Sequence, residues 1–179
     1  MTSEESKTAI IKSRLGDLPS NMDAYFKEAG NDDLKTAFKR QDADAEKLFQ
    51  SISEEKSMYQ YAEGKWTLKE VLQHLIDAER VFAYRALAFA RQDKNILPSF
   101  DENEYANNSD ANVRSWQNLI DEFYTVRQST EYLFYSFSAE ALQTVGKASN
   151  YTVGVNTLGF VIIGHTNHHL TIIKERYLN

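Results

Sequence analysis

Apolar residues recur every three or four positions along four long segments of this chain, and this spacing constrains the fold more than any other feature. It places the apolar side chains on one side of an α-helix. The predicted helices run from about residue 32 to 52, 67 to 91, 110 to 137 and 155 to 177. Because each helix must bury its apolar stripe against another, the pattern predicts an all-α fold, a four-helix bundle.

The composition agrees with a helical fold. Only 7 of the 179 residues are glycine and 2 are proline, whereas a sandwich or barrel of short strands needs many such turn residues. With 42% hydrophobic residues the chain can bury one good core, and its length does not favour two domains. We predict an N-terminal extension over residues 1–30 and one bundle domain over residues 31–179.

The second of these helices has the clearest start. Thr67 and Glu70 have the spacing of a capping box ahead of an apolar run, beside which His74 faces inward. The first helix carries a polar interruption around Gln41. The buried faces predicted for the second and third helices consist of Leu68, Val71, Leu72, Leu75, Ala78, Phe82 and Leu87, and of Val113, Trp116, Leu119, Ile120, Phe123, Val126, Thr130, Leu133 and Phe134.

The connections differ in length and character. A short helix is predicted around residues 21–29, closed by Gly30. Residues 93–109 form a long loop between the second and third helices, and connections of this length are often functional. Residues 138–153 are predicted to be a polar link.

Charge and cysteine content exclude several classes of function. A net charge of −6 and no basic cluster argue against a nucleic-acid partner. Without cysteine the chain can form neither a disulfide nor a thiolate zinc site, so any reactive thiol must come from a substrate or cofactor. Neither a signal sequence nor an apolar run of about 18 residues is evident, which predicts a cytoplasmic protein without a membrane partner.

The histidines carry the strongest functional signal. His165 and His169 are four positions apart, so a helix would place both imidazoles on one face. His74 on another helix is the natural third partner, and three imidazoles suit a divalent ion with an open coordination position. We predict these three as metal ligands. The alternative is that each merely forms a hydrogen bond in the core.

Known metal motifs narrow the chemistry. His168 is rotated by about 100° from its neighbour, which predicts a surface or interface role. A zincin helix would need a glutamate where Thr166 stands. Glu70 precedes His74 by four positions, whereas the carboxylate-bridged di-iron motif needs three. Metalloprotease and di-iron chemistry are therefore not expected.

Charged residues near His74 supply further candidates. Asp77 follows His74 by three positions and is predicted as a catalytic residue, either orienting an imidazole or acting as a base. A solvent-exposed acid, or an ion pair with Arg80, is the alternative. The residues predicted either to bind an anionic substrate or to bridge the second helix to the following loop are Arg85, Arg91 and Asp93.

An ordered set of motifs carries a family resemblance. The motifs are WTLKEVLQHLIDAER at 66–80, YRAL at 84–87, RQD at 91–93, FDEN at 100–103 and GHTNHHL at 164–170. On these motifs the chain resembles the DinB/YfiT-like metalloenzyme superfamily in its DinB-like domain branch, and the resemblance spans roughly residues 30 to 177. The resemblance implies a four-helix bundle that holds a divalent ion through His74, His165 and His169. It also implies a homodimer acting on a small-molecule substrate.

The resemblance implies zinc or nickel as the metal, with iron, manganese or copper as alternatives. Several characterised members of this superfamily resemble transferases or isomerases that use a low-molecular-weight thiol. The first functional hypothesis is therefore a thiol-dependent S-transferase, in which metal ligation favours the thiolate. The loop around Asp101 and Glu102 would then border the pocket and select the substrate.

Two other hypotheses remain open. In a metal-dependent hydrolase the same ion would activate water, with Asp77 or Glu70 as the base. In a non-catalytic, stress-related bundle the metal would be structural. A structural ion usually has four protein ligands, and three are evident in this sequence, which favours a reactive site.

Overall fold

A computed structural model describes residues 9–179; the rest of the predicted N-terminal extension lies outside the described residues. Within that range the chain forms eight α-helices and one two-stranded hairpin. The helices are α1 Ser20–Glu28, α2 Leu34–Gln50, α3 Glu54–Ser57, α4 Leu68–Ala90, α5 Glu102–Asn107, α6 Trp116–Ser136, α7 Ala139–Leu142 and α8 Val155–Ile172, and the strands are β1 Val145–Ala148 and β2 Tyr151–Gly154.

The four long helices α2, α4, α6 and α8 pack into a bundle, as the sequence predicts. Helix α4 contacts both α6 and α8, while α8 also contacts α1 and α2. One part of the core surrounds Phe38 and Phe160, and the other surrounds Phe49 and Phe123. Because α8 is shared between so many neighbours, it is buried around almost its whole circumference.

Helix α4 begins where the capping box predicts. The Thr67 hydroxyl oxygen accepts a hydrogen bond from the Glu70 backbone N–H at 3.1 Å, and the Glu70 carboxylate accepts one from the Thr67 N–H at 2.7 Å. Such caps contribute about 1 kcal/mol each. The helix then runs without interruption to Ala90, which fixes His74 two turns from a well-defined end.

Helix α1 lies directly against α8. A Cβ atom on Gly164 would stand 1.6 Å from the Tyr25 carbonyl oxygen, so only glycine allows this approach. Further upstream, Ser13 and Leu15 donate backbone hydrogen bonds to the Asn156 and Thr157 side chains at 2.9 and 2.7 Å. The segment before the bundle is therefore packed onto its central helix.

The polar link predicted over residues 138–153 is wrong. This segment contains helix α7 and the antiparallel hairpin β1–β2, in which Val145 pairs with Gly154 and Ala148 with Tyr151. Ala148 and Val153 are fully buried against the bundle. Strands of four residues are too short for their alternation to be distinguished from a polar connection.

Other predictions need smaller corrections. Helix α6 begins at Trp116 rather than near residue 110, because Ser115 is its N-cap and Asp110 adopts a left-handed φ of 52°. Val113 was predicted to be buried, yet it is 84% exposed; Leu87 is 37% exposed. Gln41 does not interrupt α2, which is continuous and buries that side chain.

The remaining boundaries agree with the predictions. Helix α8 continues through a π-helical turn, Ile173–Tyr177, to the predicted end. The loop of residues 93–109 carries the short helix α5, whose N-cap is Asp101. Among the described residues, no helix combines the length and the apolar character that crossing a membrane requires.

Candidate metal centre

The three predicted ligands meet between α4 and α8. Helix α4 supplies His74, and α8 supplies His165 and His169. One ring nitrogen of each histidine lies within 4.8 Å of those of the other two. The Nε2 atoms of His74 and His165 are 3.0 Å apart. The structure therefore brings together the three side chains that the sequence singled out.

The orientation of the rings suits a shared cation. Ring centroids are 4.9 Å apart for His74 with either partner, and 4.7 Å apart for His165 with His169. The ring planes cross at 64° to 73°, so the rings are not stacked face to face and their nitrogen atoms can approach a common point. Nitrogen atoms about 2.0–2.1 Å from a tetrahedral zinc ion lie about 3.3 Å from one another, which fits this cluster.

Burial keeps the three imidazoles neutral. It lowers the pKa of His74 to about 4. Burial, followed by the charge of His74, lowers the pKa of His169 to about 3. His165 is buried, and this burial together with the neighbouring histidines moves its pKa well below the ordinary value. A neutral imidazole presents the lone pair that a metal ion needs, so the cluster is in its ligand form at neutral pH.

Aromatic rings surround the cluster. Trp66 packs against His74 with centroids 4.9 Å apart, and Phe82 approaches His165 at 5.9 Å. Tyr25 of α1 meets the His165 ring edge-on at 5.0 Å. These contacts restrict the orientations of the imidazole rings and give the cleft an aromatic lining.

A cleft of about 270 Å³ opens beside the three histidines. It is slightly smaller than the pockets of about 300–1,000 Å³ that bind drug-sized ligands, so it suits a small molecule. Ser99, Phe100 and Glu102 of the long loop form part of its wall. The prediction that this loop borders the pocket is confirmed for Glu102, whereas Asp101 caps α5.

A second, smaller cleft of about 220 Å³ reaches the same centre from another side. It shares Trp66 and His169 with the first cleft and is otherwise walled by residues such as Tyr61, Lys65 and Tyr177. His169 therefore lines both clefts, whereas His74 and His165 line the first.

The structure does not bring the predicted acids to this centre. The Asp77 carboxylate accepts a hydrogen bond from Gln73 at 2.9 Å and lies 3.8 Å from Arg80. Burial raises the pKa of Asp77, and its other charged neighbours, Arg114 and Glu122, lie on the α6 side of α4. Asp77 is therefore not part of the described cleft wall.

Glu70 is likewise committed elsewhere. Besides closing the capping box, it accepts a hydrogen bond from Asn112 at 3.0 Å. His168 lies at the rim of the cleft, outside the cluster, as its rotation on the helix predicts. Its side chain is 39% exposed, and its Nδ1 is 3.6 Å from the Glu28 carboxylate. An interface role for His168 stays a prediction.

A buried polar network behind the histidines was not predicted. Arg127 of α6 is almost fully buried and donates to Glu79 at 2.8 Å and to Gln41 at 2.7 Å. A third bond, at 3.3 Å, reaches the hydroxyl of Thr166, the neighbour of His165. The network therefore ties α2, α4 and α6 to the histidine-bearing stretch of α8.

The sequence did carry a signal for Arg127. The residue falls on the apolar stripe of α6 between Phe123 and Thr130, where a charged side chain is out of place unless it has a buried partner. The prediction assigned Val126 to that face, although Val126 is only partly buried. Tyr25 was missed for a different reason, because no local pattern in α1 indicates which helix it meets.

Comparisons with known proteins agree with this geometry. A family profile described as the DinB superfamily matches residues 37–173. A protein of Oceanobacillus iheyensis, named as a candidate metal-dependent hydrolase, is 25% identical over 126 residues, which are 69% of this chain and 72% of that protein. The chain also resembles the solved structure of YfiT from Bacillus subtilis, described as a probable metal-dependent hydrolase with an unusual four-helix bundle topology.

The YfiT likeness has a TM-score of 0.66 and covers 89% of this chain and 87% of that one. Only 13% of the residues are identical, so this likeness speaks for the fold alone. The YfiT structure is described as a four-helix bundle, which is the fold that the four helical segments predict.

Proposed function

The chain belongs to the DinB superfamily, and we propose that it is a metal-dependent hydrolase of a small molecule, with one divalent ion held by His74, His165 and His169. The observation that carries the proposal is the convergence of three neutral imidazoles, two of them buried and that of His169 partly exposed, at the wall of a cleft. The relative from Oceanobacillus iheyensis, whose name assigns it to metal-dependent hydrolases, supports the reaction class.

The number of ligands favours catalysis over a structural role. Structural sites usually enclose the ion with four protein ligands, whereas catalytic sites use three and leave a position open. The described cluster has three. A bound divalent ion supplies Lewis acidity there, which activates water or polarises a carbonyl oxygen.

The chain's own residues complete the site. Burial raises the pKa of the Tyr25 hydroxyl, with Glu102 and Glu28 adding to the effect, so this hydroxyl remains a hydrogen-bond donor to a substrate oxygen. Glu102 is the carboxylate among the described residues of the first cleft, and we assign it the acceptance of a proton from incoming water. Trp66 and Phe82 exclude bulk water beside the ligands.

The identity of the metal follows the donor set. Imidazole nitrogen suits zinc, nickel, copper and iron, while manganese prefers oxygen ligands. We place zinc and nickel first. The thiol-dependent transferase, the cytoplasmic location and the homodimer stay predictions. We put hydrolysis ahead of thiol transfer because the name of the Oceanobacillus iheyensis relative specifies a metal-dependent hydrolase.

Metal content provides the first test. Protein purified without an affinity tag is measured by elemental mass spectrometry, beside His165→Ala and the matched control His168→Ala on the same helix. We expect about one ion per chain in the parent and in the control, and none in His165→Ala. A parent chain that remains metal-free after reconstitution with zinc and with nickel would refute the proposal.

Turnover provides the second test. The parent protein loaded with metal and the His165→Ala variant treated in the same way are assayed on small esters, amides and lactams. Every substrate is tested with and without an added low-molecular-weight thiol. Metal-dependent hydrolysis without thiol is the expected result. Activity that appears only with a thiol, and yields the thiol adduct, would replace the hydrolase by the transferase.

A further inference from the structure

Arg85 differs from the other buried cations of the described chain. Lys69 pairs with Glu54, and Arg127 pairs with Glu79. Arg85 is only 3% exposed, yet its described hydrogen bonds go to the Tyr151 hydroxyl at 2.9 Å and the Pro98 carbonyl at 2.7 Å, both neutral groups. Because a buried charge without a counter-charge is costly, this arrangement points to an anion supplied from outside.

Arg85 also lines the cleft that contains the three histidines. Its Cζ atom lies 6.0 Å from the Phe82 ring centroid and 5.8 Å from that of Phe100. The same Phe82 ring is 5.9 Å from His165. The guanidinium and the candidate metal centre are therefore separated by one aromatic ring within a single cleft.

The guanidinium retains hydrogen-bonding capacity. Arginine has five N–H donors, and the described bonds use one on each terminal nitrogen. Since the Tyr151 oxygen accepts from Arg85, its own proton can be donated to a ligand. Two donors of this kind, one of them charged, match the two oxygens of a carboxylate.

The local charge favours a monoanion. Burial lowers the pKa of Arg85, and the ionisable groups that act on it are the tyrosines Tyr151 and Tyr105 rather than a second cation. Glu102 on the same cleft wall repels extra negative charge. One positive charge in this setting suits a carboxylate better than a phosphate dianion.

We propose that Arg85 and Tyr151 bind the carboxylate of a small substrate, whose apolar body lies along Phe82 and Phe100 and whose reacting group reaches the three histidines. The position of the reacting group rests on the proposed function. Carboxylate binding does not, so the two can be tested separately.

The test uses hydrocinnamate, which has a carboxylate on an apolar body, and its neutral amide as probes. Binding is measured by calorimetry and by NMR chemical-shift changes on the full chain, both metal-loaded and metal-stripped. We expect the carboxylate to bind about tenfold or more tightly than the amide, as a charged hydrogen bond predicts. This preference should disappear in Arg85→Gln and persist in Arg80→Gln, a matched change on the same helix outside the cleft.

Several outcomes would overturn the proposal. The parent could bind hydrocinnamate and its amide equally well, or bind neither of them. The preference for hydrocinnamate over the amide could be unchanged in Arg85→Gln, or the parent could bind inorganic phosphate more tightly than hydrocinnamate. Binding that vanishes on metal removal, and is indifferent to Arg85→Gln, would place the carboxylate on the ion instead. If Arg85→Gln does not fold, Tyr151→Phe replaces it, with an expected loss of about threefold to tenfold; an unchanged preference there would also overturn the proposal.

Failure of the two proposals is distinguishable. A parent chain that binds no metal but still prefers hydrocinnamate refutes the hydrolase and leaves the carboxylate site in place. A parent that binds metal and shows no preference refutes the carboxylate site alone.

Discussion

Two buried polar centres lie side by side on α8, one at His165 and one at Thr166, and they differ in how their hydrogen bonds are satisfied. Around Thr166, Arg127 is enclosed by partners that include the Glu79 carboxylate. Around His165, the three imidazole rings of the cluster face one another and line the first cleft. The first centre is complete without a ligand, whereas among the described residues no carboxylate acts on the three neutral imidazoles of the second.

The ionisation of the two centres follows from this difference. Burial by itself lowers the pKa of Arg127, but the charge and hydrogen bond of Glu79, together with the charges of Asp42 and Glu131, outweigh it and raise the pKa above the ordinary value. For the histidines, burial lowers the pKa with no acid to oppose it. We infer that the arginine network stabilises the bundle and that the histidine cluster binds a ligand.

Breaking the arginine network should have the largest effect. Arg127→Met leaves the Glu79 carboxylate buried and unpaired, which we expect to lower the free energy of unfolding by about 3–5 kcal/mol. Urea titration measures the change. Arg80→Met is the control, because its exposed pair with Glu122 should contribute less than about 1 kcal/mol. Equal losses in the two variants would contradict the assignment of a structural role to Arg127.

Acid should lower the free energy of unfolding through protonation of the histidine cluster. The folded pKa values of His74, about 4, and His169, about 3, lie below the ordinary 6.5, so the unfolded chain binds protons first. Stability present above pH 6.5 should therefore be lost as pH falls towards 4. Each tenfold difference in proton affinity between the unfolded and folded chain corresponds to about 1.4 kcal/mol. Urea titrations of metal-free protein between these pH values measure the loss.

The control for this pH dependence is His74→Leu, which removes one titrating group. Its stability should fall less steeply over the same pH interval than that of the parent. A parent whose stability is constant across that interval would show that the histidines are not held neutral by burial.

Metal binding should raise the free energy of unfolding of the parent by less than the loss expected for Arg127→Met. With free ion at about one hundred times the dissociation constant, we expect a gain of about 2.7 kcal/mol in the free energy of unfolding. His169→Ala should lose this stabilisation by metal. The folded fraction of Arg127→Met should retain it. Thermal unfolding with and without zinc or nickel measures the gain. A gain of equal size in His169→Ala would mean that the ion binds elsewhere.

The smallest effect is expected where the two centres touch. Thr166→Val removes the hydroxyl that meets Arg127 at 3.3 Å, at a cost of about 1 kcal/mol. The metal content should not change, because the hydroxyl belongs to the network rather than to the cluster. Loss of metal in Thr166→Val, with the fold intact, would show instead that the arginine network sets the histidine geometry.

Some parts of the site could be predicted because their signal is local. The capping box at Thr67 and Glu70 marks the start of α4, and the four-residue spacing of His165 and His169 places them on one helical face. Neither inference needs knowledge of a distant residue. The hairpin over residues 145–154 escaped prediction because its strands are short and its burial comes from packing on α4.

Other parts depend on contacts between distant segments. Asp77 has the right spacing from His74, yet neither Asp77 nor the charged side chains that act on it line the cleft beside the histidines. Tyr25 reaches the histidines because Gly164 lets α1 approach α8. Sequence spacing gives the face of a helix on which a residue lies, but not which neighbour that face meets.

The four amphipathic helices, the start of α4 and the choice of three histidines as candidate ligands follow from the amino-acid sequence alone, because periodicity and capping act within one segment. Three features depend on the tertiary structure: the convergence of the three imidazoles, the carboxylate partner of Arg127, and the lack of a carboxylate partner for Arg85 among the described residues. Those outcomes depend on which side chains from different helices share a buried space, where the cost of an unpaired charge separates a structural network from a binding site.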